Sequence, residues 1–206
     1  LQTKIFNTSR HDLSKASELI KSGGTLAFPT ETVYGLGADA SNKHAVANIF
    51  EAKGRPSFNP LIVHVSDITT AKRYAEWNAQ AENLAQAFWP GPLTLVLPRL
   101  AAASLSSLVT AGAATGAIRV PAHPVAQRLL KQFDGAIAAP SANPSEQISP
   151  TRAAHVIEGL GNAVYAVLDG GPCDVGLEST IVGIENAGLT LRLLRPGGLA
   201  REDIEQ

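Results

Sequence analysis

The chain has 206 residues, of which 45% are hydrophobic and 17% charged, so it can bury a substantial core and carries no low-complexity segment. A formal net charge of -1 excludes a protein that coats nucleic acid by bulk charge, and any anion site has to be local. The single Cys173 excludes intramolecular disulfides and a multi-cysteine zinc site; with no apolar run near ~18 residues and no signal-like N-terminus, a soluble protein of the reducing cytoplasm with no membrane partner is expected.

Leu13, Ala16, Leu19 and Ile20 recur at helical spacing after Asp12, and Gly23-Gly24 closes the run, which predicts a helix over 12–22. A short strand over 25–28 and a loop over 29–42 lead to a second amphipathic helix, marked by Ala45, Val46, Ile49 and Phe50. Its C-terminal end delivers Lys53 and Arg55. The apolar run 61–65 predicts a strand, and 67–88 two helices broken near Trp77-Asn78. Trp89-Pro90-Gly91-Pro92 forces a turn into a strand over 93–97, and a strand over 117–120 leads to a helix opened by Pro124. A strand over 136–139 feeds a long polar loop, after which Thr151 is expected to cap a helix ending at Leu160. Strands over 164–168, 179–184 and 189–194 follow, the last two joined by Glu185-Asn186-Ala187-Gly188. Arg201 to Gln206 resembles the start of a helix or linker. One compact α/β domain is the economical reading.

Five polar loops interrupt these elements, and open α/β sheets place ligands at the ends of such strands. The most informative is Lys53-Gly54-Arg55-Pro56-Ser57-Phe58-Asn59-Pro60. Proline stiffens it and glycine permits close approach, so Lys53 and Arg55 can be aimed together at an anion such as a polyphosphate. His64 lies just beyond, in a strand, where a lone histidine serves a core as readily as a ligand. In Pro29 to Gly37, Thr30, Thr32 and Tyr34 emerge from a strand among glycines. Arg119, in the middle of an apolar strand, needs a partner: a ligand carboxylate or phosphate, or an internal acid such as Glu178. Ala139-Pro140-Ser141-Ala142-Asn143-Pro144, continuing to Ser149, offers small donors that suit phosphate. The fifth set joins Gly176-Leu177-Glu178-Ser179-Thr180 with Arg195-Pro196-Gly197-Gly198.

The chain has no G-x-x-x-x-G-K-[ST], no G-x-G-x-x-G after its first strand and no H-E-x-x-H. Ser141 lacks a G-x-S-x-G setting, and Cys173 after Gly-Gly-Pro reads as an inert thiol. Cations, hydroxyls and amides suit reactions governed by positioning and charge neutralisation, such as transfer at phosphorus.

Taken together, FPTETVYGLG (28–37), KGRPSFNPLIVHV (53–65), WPGPLTLVLP (89–98), IRVPAHP (118–124), APSANPS (139–145), GLESTIV (176–182) and LRPGG (194–198) resemble the YrdC-like family, the threonylcarbamoyl-adenylate synthases that begin t6A modification of tRNA. The resemblance implies an α/β fold with a twisted, open, mixed sheet flanked by helices and a concave cationic cavity. It implies a nucleotidyltransferase that joins L-threonine, bicarbonate and ATP, with Mg2+ held mainly by phosphates and water, and that hands its product to a tRNA threonylcarbamoyl transferase, with possible direct tRNA contact. Carried over by motif, Thr32, His64, Arg119, Ala139 and Ser179 would surround threonine. Arg55, Asn59, Thr115, Ser141, Ser149 and Arg195 would contact ATP, and Lys53 and Arg55 would act on the phosphates. Position 146 is Glu where many relatives carry glycine, a departure within the ATP-facing loop. Residues 1–198 are expected to form the catalytic domain and 199–206 a tail or the start of a linker. The residues leave two rivals: a module that grips tRNA or double-stranded RNA without chemistry, and a YrdC-like carbamoyltransferase module.

Overall fold

The computed structural model describes residues 3–185 and 190–205. Its elements are β1 (Lys4–Phe6), α1 (Arg10–Lys21), β2 (Leu26–Phe28), β3 (Gly35–Asp39), α2 (Lys43–Lys53), β4 (Ile62–His64), α3 (Ile68–Ala71), α4 (Ala79–Phe88), β5 (Leu93–Pro98), β6 (Thr115–Arg119), α5 (Pro124–Phe133), β7 (Ile137–Ala138), α6 (Ala153–Leu160), β8 (Ala166–Leu168), β9 (Thr180–Glu185), β10 (Thr190–Arg195) and α7 (Arg201–Ile204). Among the described residues the strands form one mixed sheet in the order β1-β8-β2-β3-β7-β4-β6-β5-β9-β10, with both parallel and antiparallel neighbours. The open mixed sheet flanked by helices is the fold that the motifs implied.

Side-chain alternation decides how the sheet is covered. In β2, Leu26 and Phe28 join a core with Leu13, Ile20, Leu129 and Phe133 of α1 and α5, while Ala27 between them faces the larger core on the other side. β8 repeats the pattern, with Ala166 and Leu168 on one face and Val167 on the other. Strands buried on both faces read as unbroken apolar runs, which is why they are visible in the sequence.

The structure departs from the expected elements in four places. β1 is an additional parallel edge strand on β8. β3 lies inside the expected 29–42 loop, antiparallel to β2. A side chain at Gly37 would meet Phe28 and Ile137 at 2.7 Å, so glycine is needed there for packing, and its presence disguises a strand as a loop. The first helix starts at Arg10 rather than 12, because Ser9 is its cap and accepts from Asp12 N. Thr151 does not cap α6: the N-cap position is Arg152, without a side-chain bond, and the Thr151 hydroxyl sits 3.4 Å from His155 Nδ1. The expected hairpin turn over 186–188 lies outside the described residues, although β9 and β10 are antiparallel as it requires. The described part of the expected tail is docked: the Leu199 N–H and carbonyl both bond Thr180 Oγ1, and Leu199 and Ile204 pack on the core. No helix among the described residues is long and apolar enough to cross a membrane.

Candidate functional site

The same alternation opens the site. Val63 of β4, Ile118 of β6 and Val182 of β9 point into the larger core, so their neighbours Ile62, His64, Arg119 and Ile181 point to the opposite face. A cavity of about 270 Å³ lies over that face. It is therefore walled by a sheet face as well as by the strand-end loops where ligands of open α/β sheets are expected. Thr30 and Thr32 from the loop after β2, Ala139 and Ser141 from the loop after β7, Arg55, and Glu178, Ser179 and Arg195 complete its polar wall.

At the inner end, parallel pairing sets His64 of β4 opposite Arg119 of β6. Arg119 is 3% exposed. Its Nη2 donates to Glu31 Oε1 at 2.5 Å, its Nη1 to Thr32 Oγ1 at 2.9 Å and its Nε to the Gly91 carbonyl at 3.2 Å. Glu31 Oε2 accepts from Ala122 N, so the carboxylate is bonded through both oxygens. The internal partner of Arg119 is thus Glu31 and not Glu178, which pairs with Arg195 instead. Two of the five guanidinium N–H groups remain free of these bonds and can take a ligand carboxylate.

Proton accounting fixes the threonines. Thr30 Oγ1 donates to the Val33 carbonyl at 2.6 Å, so the 2.8 Å contact between Thr30 and Thr32 hydroxyls is donated by Thr32. With Arg119 occupying one lone pair, Thr32 Oγ1 presents one open acceptor to the cavity. That suits a ligand ammonium or N–H. His64 Nδ1 lies 3.1 Å from the Ile62 carbonyl, so in the neutral ring this nitrogen carries the proton. Burial, and secondly Arg119, pull the His64 pKa down to about 3, which keeps the ring neutral near pH 7.

At the outer end, Arg195 is fastened by Nε and Nη2 to the Ser179 carbonyl at 3.1 and 2.8 Å and by Nη2 to Ser179 Oγ at 3.1 Å, and its Nη1 bonds Glu178 Oε2. Ser179 Oγ also lies 2.7 Å from Thr94 Oγ1. Arg55 follows the left-handed Gly54 that ends α2, and its Nη2 donates to the Pro60 carbonyl at 3.2 Å. Burial lowers the Arg55 pKa, opposed by Glu178, with Arg195 adding to the lowering.

Four expected residues are not on the cavity wall. Lys53 is 3% exposed, and its ammonium donates to the carbonyls of Ser141, at 2.6 Å, and Asn143. It pins the 139–145 loop from beneath rather than facing a ligand, because it is the last residue of α2 and that loop crosses the helix end. Burial, then Arg55, bring its pKa down to about 8. Thr115 is exposed at the start of β6, at the opposite end of the strand from Arg119. Asn59 offers its carbonyl to Arg55 Nε at 3.4 Å. Ser149 reaches the site indirectly, by donating to Glu178 Oε1 at 2.9 Å. Residues that sequence reasoning did not assign are Thr30, Glu31 and the Gly91 carbonyl. Glu31 carried one signal, a carboxylate between two threonines at the end of a buried strand.

One face of a mixed sheet and its flanking loops bring three arginines and small hydroxyls to a single cavity of an α/β protein, a set of donors that suits an anionic group. The Sua5/YciO/YrdC family model, described as telomere recombination, matches residues 18–197, and the chain belongs to that family, as its motifs suggested. It is 47% identical over 204 residues to the threonylcarbamoyl-AMP synthase of Bacillus subtilis (strain 168), covering 98% of this chain and 58% of that protein. It is also 47% identical over 192 residues to the threonylcarbamoyl-AMP synthase of Pyrococcus abyssi (strain GE5 / Orsay), covering 93% of this chain and 55% of that one. The crystal structure of P. abyssi Sua5 complexed with L-threonine superposes with a TM-score of 0.94 at 45% identity, over 98% of this chain and 60% of the other. The chain thus spans a little over half the length of these two relatives.

Proposed function

We propose that this chain forms the site at which L-threonine, bicarbonate and ATP become L-threonylcarbamoyl-AMP and pyrophosphate, the first step of tRNA t6A modification. The observation that carries the proposal is the joining, in one cavity, of a buried Arg119–Thr32–His64 end with an outer end holding Arg55 and Arg195. The names of the relatives and the L-threonine complex of P. abyssi Sua5 support the same reading.

At the inner end the two uncommitted N–H groups of Arg119 take the amino-acid carboxylate, and the open lone pair of Thr32 takes its amine. Neutral His64 and the Ala139 backbone close the wall, and Ser179 meets the side-chain hydroxyl. The amine captures CO2 with loss of a proton, or bicarbonate with loss of water, to give a carbamate, whose oxygen attacks the α-phosphorus as pyrophosphate leaves. No covalent enzyme intermediate is needed; Arg55 and Arg195 neutralise charge on the phosphates while Ser141 positions them, joined by Ser149 once Glu178 gives up its hydroxyl. Lys53 acts through the Ser141 loop as a positioning residue. Among the described residues no group of three or more His, Cys, Asp or Glu could hold a metal, and Glu178 is the one carboxylate on the wall. A magnesium ion bound with ATP would be held mainly by phosphate oxygens and water, and would supply further charge neutralisation. The labile product passes to a tRNA threonylcarbamoyl transferase.

The test is incubation of the chain with ATP, bicarbonate and labelled L-threonine, scoring pyrophosphate and a labile adenylate. Both should appear only when all three substrates are present. Salt-steep tRNA binding without pyrophosphate release would identify a binding module instead.

A further inference from the structure

An anion site lined by arginines has no evident use for a carboxylate, yet Glu178 stands on its wall. Its two oxygens are bonded separately: Oε2 takes Arg195 Nη1, and Oε1 takes the Ser149 hydroxyl. These are two of the groups assigned above to the nucleotide, so the carboxylate sits among the donors that a phosphate would use. Its charge is also felt by both other cations of this end, since it acts to raise the pKa of Lys53 and of Arg55.

We propose that Glu178 is an internal counter-ion that competes with phosphate groups for the outer end of the cavity, and so weakens its hold on triphosphate and on the pyrophosphate product. The inference rests on the nucleotide reading above. Two features of the geometry give the competition its direction. Arg195 stays fastened to Ser179 by Nε and Nη2, so removal of the carboxylate frees Nη1 without unseating the guanidinium. Glu178 is also part-exposed, with 34% of its side chain open to solvent, so it can swing aside without stranding a charge in the interior. With Glu178 in place the cations are partly neutralised and the donors satisfied. An entering phosphate takes over those bonds, and as pyrophosphate departs the carboxylate returns to them. Without such a competitor, a cluster of arginines would retain a multiply charged product and slow turnover.

The test is calorimetric titration of inorganic pyrophosphate into the wild-type chain, Glu178→Gln and Glu178→Asp. Glutamine keeps the size and one acceptor but loses the charge, and should bind pyrophosphate at least about tenfold more tightly, while aspartate should stay near wild type. L-threonine affinity should be the same in all three proteins. In the threonine-dependent reaction Glu178→Gln should show a lower apparent KM for ATP and stronger product inhibition by pyrophosphate. Equal or weaker pyrophosphate binding by Glu178→Gln overturns the proposal and makes Glu178 a support for Arg195, as does a threonine affinity that moves as far as the pyrophosphate affinity. Failure of all three proteins to bind either pyrophosphate or ATP overturns the nucleotide reading together with the inference.

Discussion

At the inner end of the cavity Arg119 is 3% exposed and spends its guanidinium on Glu31, Thr32 and Gly91, whereas at the outer end Arg195 and Glu178 each leave 34% of their side chains in solvent. Both ends hold an arginine–glutamate pair, but burial changes what the pair does. A buried pair is fixed, because breaking it strands a charge in low dielectric. A part-exposed pair exchanges partners at small cost, because water replaces whatever leaves. The inner end is therefore preorganised for a small ligand of constant shape, and the outer end is suited to a group that arrives and departs with several charges.

The sharpest way to break this contrast is to remove one arginine from each end. Arg119→Ala leaves Glu31 buried without its cation and should cost about 3–5 kcal/mol of folding stability. Arg195→Ala should cost less than about 1 kcal/mol. Urea denaturation of the two variants measures both, and similar losses would show that the ends do not differ in kind. Activity should rank differently. Arg55→Ala and Arg195→Ala should each lower adenylate formation at least about tenfold, or ~1.4 kcal/mol of transition-state stabilisation, with the fold intact. Normal turnover in both would remove their assigned roles.

Arg119 stands out in the sequence because a charge at a buried strand position demands a partner, Thr32 and Ser179 because they sit in polar motifs abutting apolar strands, and Arg55 because a Gly/Pro loop holds its charge in place. Glu31 stays hidden, since its value depends on β6 lying beside the loop after β2, a contact between positions 31 and 119 that no local pattern encodes. Lys53 lies in the expected neighbourhood, but helical phase and loop crossing turn its ammonium to two carbonyls rather than to the cavity wall, which no local pattern encodes. β3 escapes for a packing reason: the glycine that suggests a loop makes room for Phe28.

The ends should also separate by substrate. Ser179→Ala removes a hydroxyl between Thr94 and Arg195 and should raise the KM for threonine several-fold more than that for ATP. Equal shifts would mean that Ser179, which also fastens Arg195, serves both substrates alike. Proton linkage adds a second separation. His64 has a folded pKa near 3 against ~6.5 in the unfolded chain, so below pH 6.5 the unfolded state binds the extra proton. Stability should then fall as pH drops from 6.5 towards 3, by at most about 1.4 kcal/mol per pH unit from this group. His64→Gln should flatten that acid limb, and threonine affinity in the wild-type chain should show no titration near 6.5. A clear threonine-linked step at that pH would mean that the ring is charged when ligand binds.

The smallest expected effect concerns the outer end alone. Glu146 adopts φ 67°, in the left-handed region, within the loop that carries Ser149. A side chain there costs about 1–2 kcal/mol, which glycine does not incur. Glycine raises the entropy of the unfolded chain and gives back about 0.5–1 kcal/mol of that difference. Glu146→Gly should therefore stabilise the fold by about 0.5–1 kcal/mol, seen as a higher urea midpoint at unchanged m-value. Because Glu146 is exposed and the backbone of residue 149 need not move, ATP affinity should change less than twofold. A marked loss of ATP affinity with the stability gain would mean that strain at this position presents Ser149 to Glu178 or phosphate, so that the rim, like the interior, is held in a prepared shape.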